Sequence, residues 1–503
     1  MKIFDPESHK KWDNFTIQHE PVSSVDLIFR ASKNLFKEII SIIPPDIKII
    51  FLCGSGNNGG DGFCLAGMFR DAFHEVEVWY CPISSQTEEN RFYAEKVKAT
   101  EEITYLPINP MKSIPLVPED AYIIDALMGY SFRGGWRNGW ENFINNVNTL
   151  PNKKIAIDLP SGMSDANISE NACIHADYTF TIQTPKRCFY YEKNIEYVGI
   201  MKVVSIGLHE KFYKKASTRF YTIDTETVSG LPRIRKKTDQ KWTFGHAALI
   251  AGHINMPGAA MLSSRACARS GAGLTTVFIP EAVFSVVASS VPEAMYQFTG
   301  EKKWEKPIHL PYRLTAIGIG PGLGQETETV SQVLHFLSEN QHIPKVIDAD
   351  ALNIIASAGK EKYSCLMHAI LTPHAKEFER LFGQAKNQET MEKIALKYAR
   401  ELQSVILLKG AYTRVCCPDG TLYYNTTGNP GMAKGGAGDV LTGMLTGLLA
   451  MGYSLVEAAL IGVFLHGMAG DLAEAKKGEN SMLATDIIEN IGRSFKKIKK
   501  HEK

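Results

Sequence analysis

Apolar residues in this chain come in short bursts, and their spacing reads as alternating helices and strands. Residues 8–42 place apolar side chains at roughly helical spacing and predict helices that Pro44 and Pro45 end. Ile47-Lys-Ile-Ile-Phe-Leu-Cys53 is an apolar run too short for a helix and predicts a buried strand. It runs into Gly54-Ser-Gly-Asn-Asn-Gly-Gly-Asp-Gly62, after which Phe63 to Phe73 reads as a helix. Strand, glycine loop and helix form the βα unit of a doubly wound sheet. Further strands are expected at Glu75–Cys81, Tyr122–Asp125, Ile155–Asp158 and Tyr178–Ile182.

The alternation resumes after a charged, irregular stretch at 208–241 and predicts a domain boundary near residue 220. Strands are expected at Phe220–Ile223, Ala247–Ala251, Leu274–Ile279, Thr315–Ile319, Lys345–Ile347, Ile370–Leu371, Val405–Lys409 and Tyr423–Thr426. A helix is expected over 259–270. Residues 439–472 are the most apolar stretch, but Gly452, Ser454 and Glu457 divide it into two buried helices rather than a membrane span. The fold class is therefore α/β in two domains. Residues 1–219 form a Rossmann-like doubly wound sheet, and residues 220–503 form a larger α/β domain.

Composition removes some functional classes. A chain of 503 residues is too long for one ordinary core, and a net charge of +1 leaves no footprint for nucleic acid or an anionic membrane. Nine scattered cysteines without a C-x-x-C pair point to a reducing compartment and no structural zinc. With no apolar leader at the N-terminus, a cytoplasmic protein is expected.

Two glycine loops carry the candidate chemistry. Gly428-Asn-Pro-Gly-Met-Ala-Lys-Gly-Gly-Ala-Gly-Asp439 opens a helical run. Bare N–H groups and the helix dipole make such a start an anion site, where Asp439 could take a proton from a hydroxyl attacking phosphate. Gly54, Gly56 and Gly59 formally match G-x-G-x-x-G, but the acidic residue a ribose needs is misplaced, since Glu77 lies inside the second strand. Asn57, Asn58 and Asp61 stand where a dinucleotide turn wants small residues. Asn58, Asp125, Asp158, Ser161 and Lys186 fall at strand ends, where such sheets bind ligands. Neither a P-loop nor the protein-kinase motifs occur.

CGSGNNGGDG, DALMG, IDLPSG and the Thr184-Pro-Lys186 segment, in that order over residues 10–210, resemble the NAD(P)H-hydrate epimerase domain. The resemblance implies that Asn57, Asn58, Gly59, Gly60 and Asp61 hold the phosphate region of the substrate. It implies that Asn58, Asp125 and Ser161 bind potassium, and that Gly129, Tyr130, Ser131, Phe132, Arg133, Gly134 and Gly135 contact substrate. Asp158 and Lys186 become the acid/base candidates, with Asp158 stabilising a ring cation and activating water and Lys186 donating a proton. Phe29 departs from the family, which often carries glutamate there, and the 129–135 loop lacks the simpler G-T-G form.

GPGLG, DADALN, TPHAKE, KGAYT and GNPGMAKGGAGDVLTG, spread over residues 235–490, resemble the ribokinase-like NAD(P)H-hydrate dehydratases. The resemblance implies that Lys409, Gly410, Ala411, Tyr412 and Thr413 touch an adenine nucleotide and that Gly438 lies against its phosphates. Asp439 would be the base, and Ala260, Gly322 and His374 would line the hydrate pocket. Ala437 stands where relatives usually carry Thr or Ser. A bifunctional repair enzyme is thus expected, acting on the hydrates NADHX and NADPHX with magnesium and with ADP favoured over ATP. A homo-oligomer is expected. The other reading is a small-molecule kinase with a non-catalytic front binding module.

Overall fold

The computed structural model describes residues 1–130, 135–164 and 172–499. Ser131, Phe132, Arg133 and Gly134 of the expected substrate loop lie outside the described residues. The chain divides into one unit of Lys2–Thr218 and another of Arg219–Lys503 with Met1.

In the first unit a two-residue strand β1 (Lys2–Ile3) precedes helices α1 (Pro6–His19) and α2 (Ser24–Ile39). The βα alternation then runs β2 (Ile49–Cys53), α3 (Asn57–Asp71), β3 (Val76–Tyr80), α4 (Glu88–Lys98), β4 (Ile103–Pro107), β5 (Tyr122–Ala126) and α5 (Trp140–Thr149). It continues through β6 (Lys154–Ile157), β7 (Tyr178–Ile182), α6 (Ile195–Val198), β8 (Ile200–Val204) and α7 (Glu210–Lys215). Seven strands form a sheet in the order β4-β3-β2-β5-β6-β7-β8, and neighbours pair parallel. The order reverses between β2 and β5, so the loops after these two strands face each other across the crevice where such sheets bind ligands. Every residue of β2 is buried because helices cover both faces, which is why it reads as an unbroken apolar run.

One difference from the sequence reading matters. The segment expected to be a glycine loop before a helix at Phe63 is already helix from Asn57. Glycine is needed there for close approach rather than for a turn. A Cβ at Gly59 would sit 2.0 Å from the Gly54 carbonyl oxygen, and one at Gly62 would sit 2.6 Å from the Ala126 Cβ. Gly59→Ala is therefore expected to force the β2–α3 junction apart and to cost about 1–3 kcal/mol. Chemical denaturation would register this as an earlier transition for this unit, and an unchanged midpoint would refute it.

The second unit begins with β9 (Phe220–Ile223), α8 (Thr225–Ser229), β10 (His246–Ile250), α9 (Pro257–Arg269), β11 (Leu274–Ile279), α10 (Phe284–Ser290) and β12 (Met295–Phe298). Next come β13 (Ala316–Ile319), α11 (Thr327–Glu339), β14 (Lys345–Ile347), α12 (Ala349–Ala358), β15 (Ala369–Leu371), α13 (Ala375–Phe382) and α14 (Gln388–Glu401). The unit ends with β16 (Val405–Leu408), β17 (Arg414–Cys416), β18 (Leu422–Asn425), α15 (Ala437–Ala450), α16 (Leu455–Lys477) and α17 (Ala484–Lys499). Its sheet runs β9-β18-β17-β16-β15-β14-β13-β10-β11-β12, parallel except where β17 runs against both β16 and β18. Helix α15 packs tightly on α9, where a Cβ at Gly443 would lie 2.0 Å from the Ser263 carbonyl. Helix α16 is long and apolar enough to cross a membrane by length and composition, yet most of that apolar stretch is buried, with α15 and α17 packed beside it.

Candidate functional sites

The first site gathers at the carboxyl ends of β2, β5, β6 and β7. Helix α3 opens on Gly56 with no side-chain cap, so its first N–H groups are left for a ligand. Asn90 from α4 fixes the turn before it by donating to the Gly54 and Gly56 carbonyls at 2.9 and 2.7 Å. Asn57 is exposed and its side-chain oxygen accepts from Thr87. Asn58 is buried and donates to the Met128 carbonyl at 3.0 Å, while its own amide oxygen has no partner. Gly129 packs against it, with 3.2 Å between a Cβ there and the Asn58 Cβ.

Asp125 is completely buried and accepts from the Ser161 hydroxyl at 2.6 Å and the Ser161 N–H at 2.7 Å. Burial pushes its carboxyl up to about 6 against the pull of these hydrogen bonds. Asn58, Asp125 and Ser161 thus stand together as oxygen donors around an orphaned amide oxygen, a donor set that suits a hard cation. Asp61 is buried beside Ser32 of α2 and is pushed well above the usual carboxylate range by burial and then by the charge of Asp158. Glu77 has a structural role, accepting from Trp79 and pairing with Lys48. Phe29, the departure noted above, lies half exposed on α2.

Asp158 and Lys186 form a buried ion pair at 2.7 Å. The Lys186 ammonium also donates to the Ile182 and Thr184 carbonyls at 2.8 and 2.9 Å. Burial works to raise the Asp158 carboxyl, but the Lys186 charge and hydrogen bond outweigh it and hold it low. Asp158 itself sits at φ 67, a strained backbone state held by its surroundings. Tyr130 lies under the ammonium, 5.4 Å from ring centre to nitrogen, and its hydroxyl donates to the Phe4 carbonyl. Gly135 is exposed.

The second site forms where α15 begins. Gly436 caps the helix in a left-handed conformation, φ 92, without a side-chain hydrogen bond. Gly438 and Asp439 follow in the first turn, where N–H groups await an anion. The Lys409 ammonium lies 3.8 Å from where a Gly438 Cβ would be and pairs with Asp348 at 3.0 Å. Thr442, one turn into α15, donates to the second Asp348 oxygen at 2.7 Å. Asp439 is half-buried, and burial, reinforced by the Asp348 charge, pushes its carboxyl up to about 6. Gly410 to Thr413 form the turn between β16 and β17.

Ala260 and Gly322, two of the residues expected around the hydrate, lie at and against the start of α9. A Cβ at Gly252 would be 3.0 Å from the buried Ala260 Cβ, and one at Gly322 would be 2.8 Å from the Ala259 Cβ. His374 caps α13. Its Nδ1 accepts from the Lys376 and Glu377 N–H groups, and its Nε2 lies 3.3 Å from the Glu377 carboxylate. Asp471 of α16 anchors the glycine loop by accepting from the Gly428 N–H and the Asn429 amide. Asn90, Asp348, Thr442 and Asp471 were not singled out from sequence. Asp348, as the first residue of a strand-ending DADALN, and Thr442, inside the GDVLTG run, had a local signal.

Comparison with known proteins covers both units of the chain. A family model described as NAD(P)H-hydrate dehydratase matches residues 247–493, and one described as YjeF-related protein N-terminus matches residues 24–188. A bifunctional NAD(P)H-hydrate repair enzyme of Coxiella burnetii is 33% identical over 93% of this chain and 94% of its own length. A protein of the same description from Moorella thermoacetica is 34% identical over 88% of this chain and 86% of its own. A crystal structure of an ADP/ATP-dependent NAD(P)H-hydrate dehydratase from Bacillus subtilis, co-crystallised with ATP and Mg2+, aligns over 56% of this chain and all of its own, with 33% identity and a TM-score of 0.49. At a third of positions identical over most of both lengths, the chain belongs to the family of bifunctional NAD(P)H-hydrate repair enzymes.

Proposed function

We propose that this chain restores hydrated nicotinamide dinucleotides in two steps. The first unit interconverts the R and S hydrates of NADH and NADPH. The second dehydrates the S form at the expense of ADP, giving AMP and phosphate. The observation that carries the reading is the presence, in one chain, of both sites together with full-length relatives of that description.

In the first unit the hydrate's C6–O bond breaks with the push of the ring nitrogen. This leaves a flat iminium ion that water re-enters from either face. Asp158, held ionised by Lys186, would stabilise that cation and orient the water. The uncapped start of α3 at Asn57 to Asp61, with Gly129 to Gly135, would hold the dinucleotide. Potassium would be held by Asn58, Asp125 and Ser161, and when bound it would supply fixed positive charge near the substrate phosphates.

In the second unit Asp439 would take the proton of the C6 hydroxyl, whose oxygen attacks the terminal phosphoryl group of the nucleotide. The N–H groups at Gly438 and Asp439 and the Lys409 ammonium would hold that group. The ring nitrogen then expels phosphate, and a proton leaves C5. Lys409 to Thr413 would bind the nucleotide, and Ala260, Gly322 and His374 would bound the hydrate. Magnesium would arrive on the nucleotide phosphates. The protein would work in the cytoplasm as a homo-oligomer.

Supplying each purified epimer with ADP or ATP and following the absorbance of the reduced nicotinamide tests the reading. Both epimers should yield it, the R form only through the first unit. A stable phosphorylated product without that absorbance would establish a kinase instead. The pH dependence is fixed by Asp439. The base acts deprotonated, so kcat/KM for the S hydrate should rise through about pH 6 and level off above it. A profile flat from pH 5 to 8 would remove Asp439 from that role.

A further inference from the structure

An iminium route needs a group that protonates the departing hydroxyl, and Lys186 is poorly placed to be that group. An ammonium has three hydrogens, and Lys186 already directs its donors to the Asp158 carboxylate at 2.7 Å and to the Ile182 and Thr184 carbonyls at 2.8 and 2.9 Å. Giving one up would leave Asp158 buried beside a neutral amine, which costs several kcal/mol. The pair is built to stay charged.

Helix α1 brings another carboxyl to the same place. His9 is pinned to the loop that carries Lys186, its Nε2 lying 2.9 Å from the Thr184 hydroxyl. Burial, followed by the Lys186 charge, pushes that imidazole down to about 3, so it stays neutral. Asp13 lies one turn further along α1 on the same face. It is half-buried and makes no hydrogen bond or ion pair among the described residues. Asp13 stands within electrostatic reach of Asp158 and Lys186, and Asp61 of α3 feels both Asp13 and Asp158. The charges that act on Asp13 are thus those of the Asp158–Lys186 pair.

The geometry points to Asp13 as the general acid of the epimerase site. The inference rests on the epimerase reading of the first unit. In the forward step the Asp13 carboxyl gives its proton to the C6 oxygen, the C6–O bond breaks, and water departs from the iminium ion. In the return step water adds to C6 on the other face and loses its proton to solvent, and the Asp13 carboxylate takes a proton back from solvent, so the cycle balances. Burial, reinforced by the Asp158 charge, pushes the Asp13 carboxyl up to about 7 while Asp158 is held low. Two carboxyls driven apart in this way divide into an acid and an ion.

The test uses the full chain with the R hydrate and saturating nucleotide, with added S-specific dehydration capacity so that epimerisation limits the rate. For the parent, the R-hydrate rate should fall as pH rises through about 7, because the acid must be protonated. Asp13→Asn should lower that rate by at least about 10²-fold, with S-hydrate use unchanged. Asp13→Glu should recover part of it and keep the alkaline limb. A parent profile flat across this range overturns the proposal without needing a variant. So does Asp13→Asn with parental R-hydrate rates, or with slowed rates that still show the limb, since the latter would mean only a structural role. A parent chain that never consumes R hydrate would instead refute the epimerase reading on which the proposal rests.

Discussion

Asp439→Asn is expected to lower S-hydrate dehydration by about 10²–10⁴-fold while leaving epimerisation intact. The carboxylate sits in the first turn of α15, beside N–H groups that attract anions. A negative group beside a phosphate site is unfavourable unless its proton affinity is used, and burial has already raised that affinity. Asparagine keeps the size and the helix but cannot accept a proton from the hydroxyl. Nucleotide binding should survive or tighten, because one repulsive charge is gone. Single-turnover absorbance with purified S hydrate measures the loss. Dehydration within threefold of the parent (about 0.6 kcal/mol of barrier) would exclude Asp439 as the base.

Asp158→Asn should have an effect of similar size on the other unit. Conversion of R hydrate would fall by about 10²-fold or more, and S hydrate would be used as before. The substitution removes the charge facing the ring cation and strands the Lys186 ammonium, which is only 1% exposed. Breaking a buried pair from one side costs about 3–5 kcal/mol, so this unit should also unfold earlier. Lys186→Met in the same background would remove the stranded charge. If stability returned with that second change and R-hydrate use did not, the losses in chemistry and in folding would be separated. Equal loss on both epimers would mean that the two activities are not divided between the units as proposed.

Much of this was legible in the sequence. Short apolar runs predicted strands over Ile47–Cys53 and Phe220–Ile223, observed as Ile49–Cys53 and Phe220–Ile223, and the glycines before Val440 marked the start of α15. The motifs at 54–62, 125–129, 158–162 and 428–443 lie at strand ends or helix starts, where local sequence and site geometry coincide. The boundary between loop and helix at Asn57 was not legible. A run of glycines signals a turn by propensity, and only the strand packed against α3 shows that they serve close contact. His374 could be read as a pocket residue or as a cap, and its hydrogen bonds to Lys376 and Glu377 display the cap.

The sequence by itself determined the order and type of the elements and the residues at their ends. Those follow from hydrophobic period and turn chemistry, which act over a few neighbours. Tertiary structure alone decided which charges share a site. Asp348 meets both Lys409 and Thr442 because β14, β16 and α15 converge, and His9 of α1 meets Thr184 on the loop after β7 that carries Lys186. Proton affinity depends on burial and on charges a few ångströms away, and no short-range pattern in the chain encodes those distances.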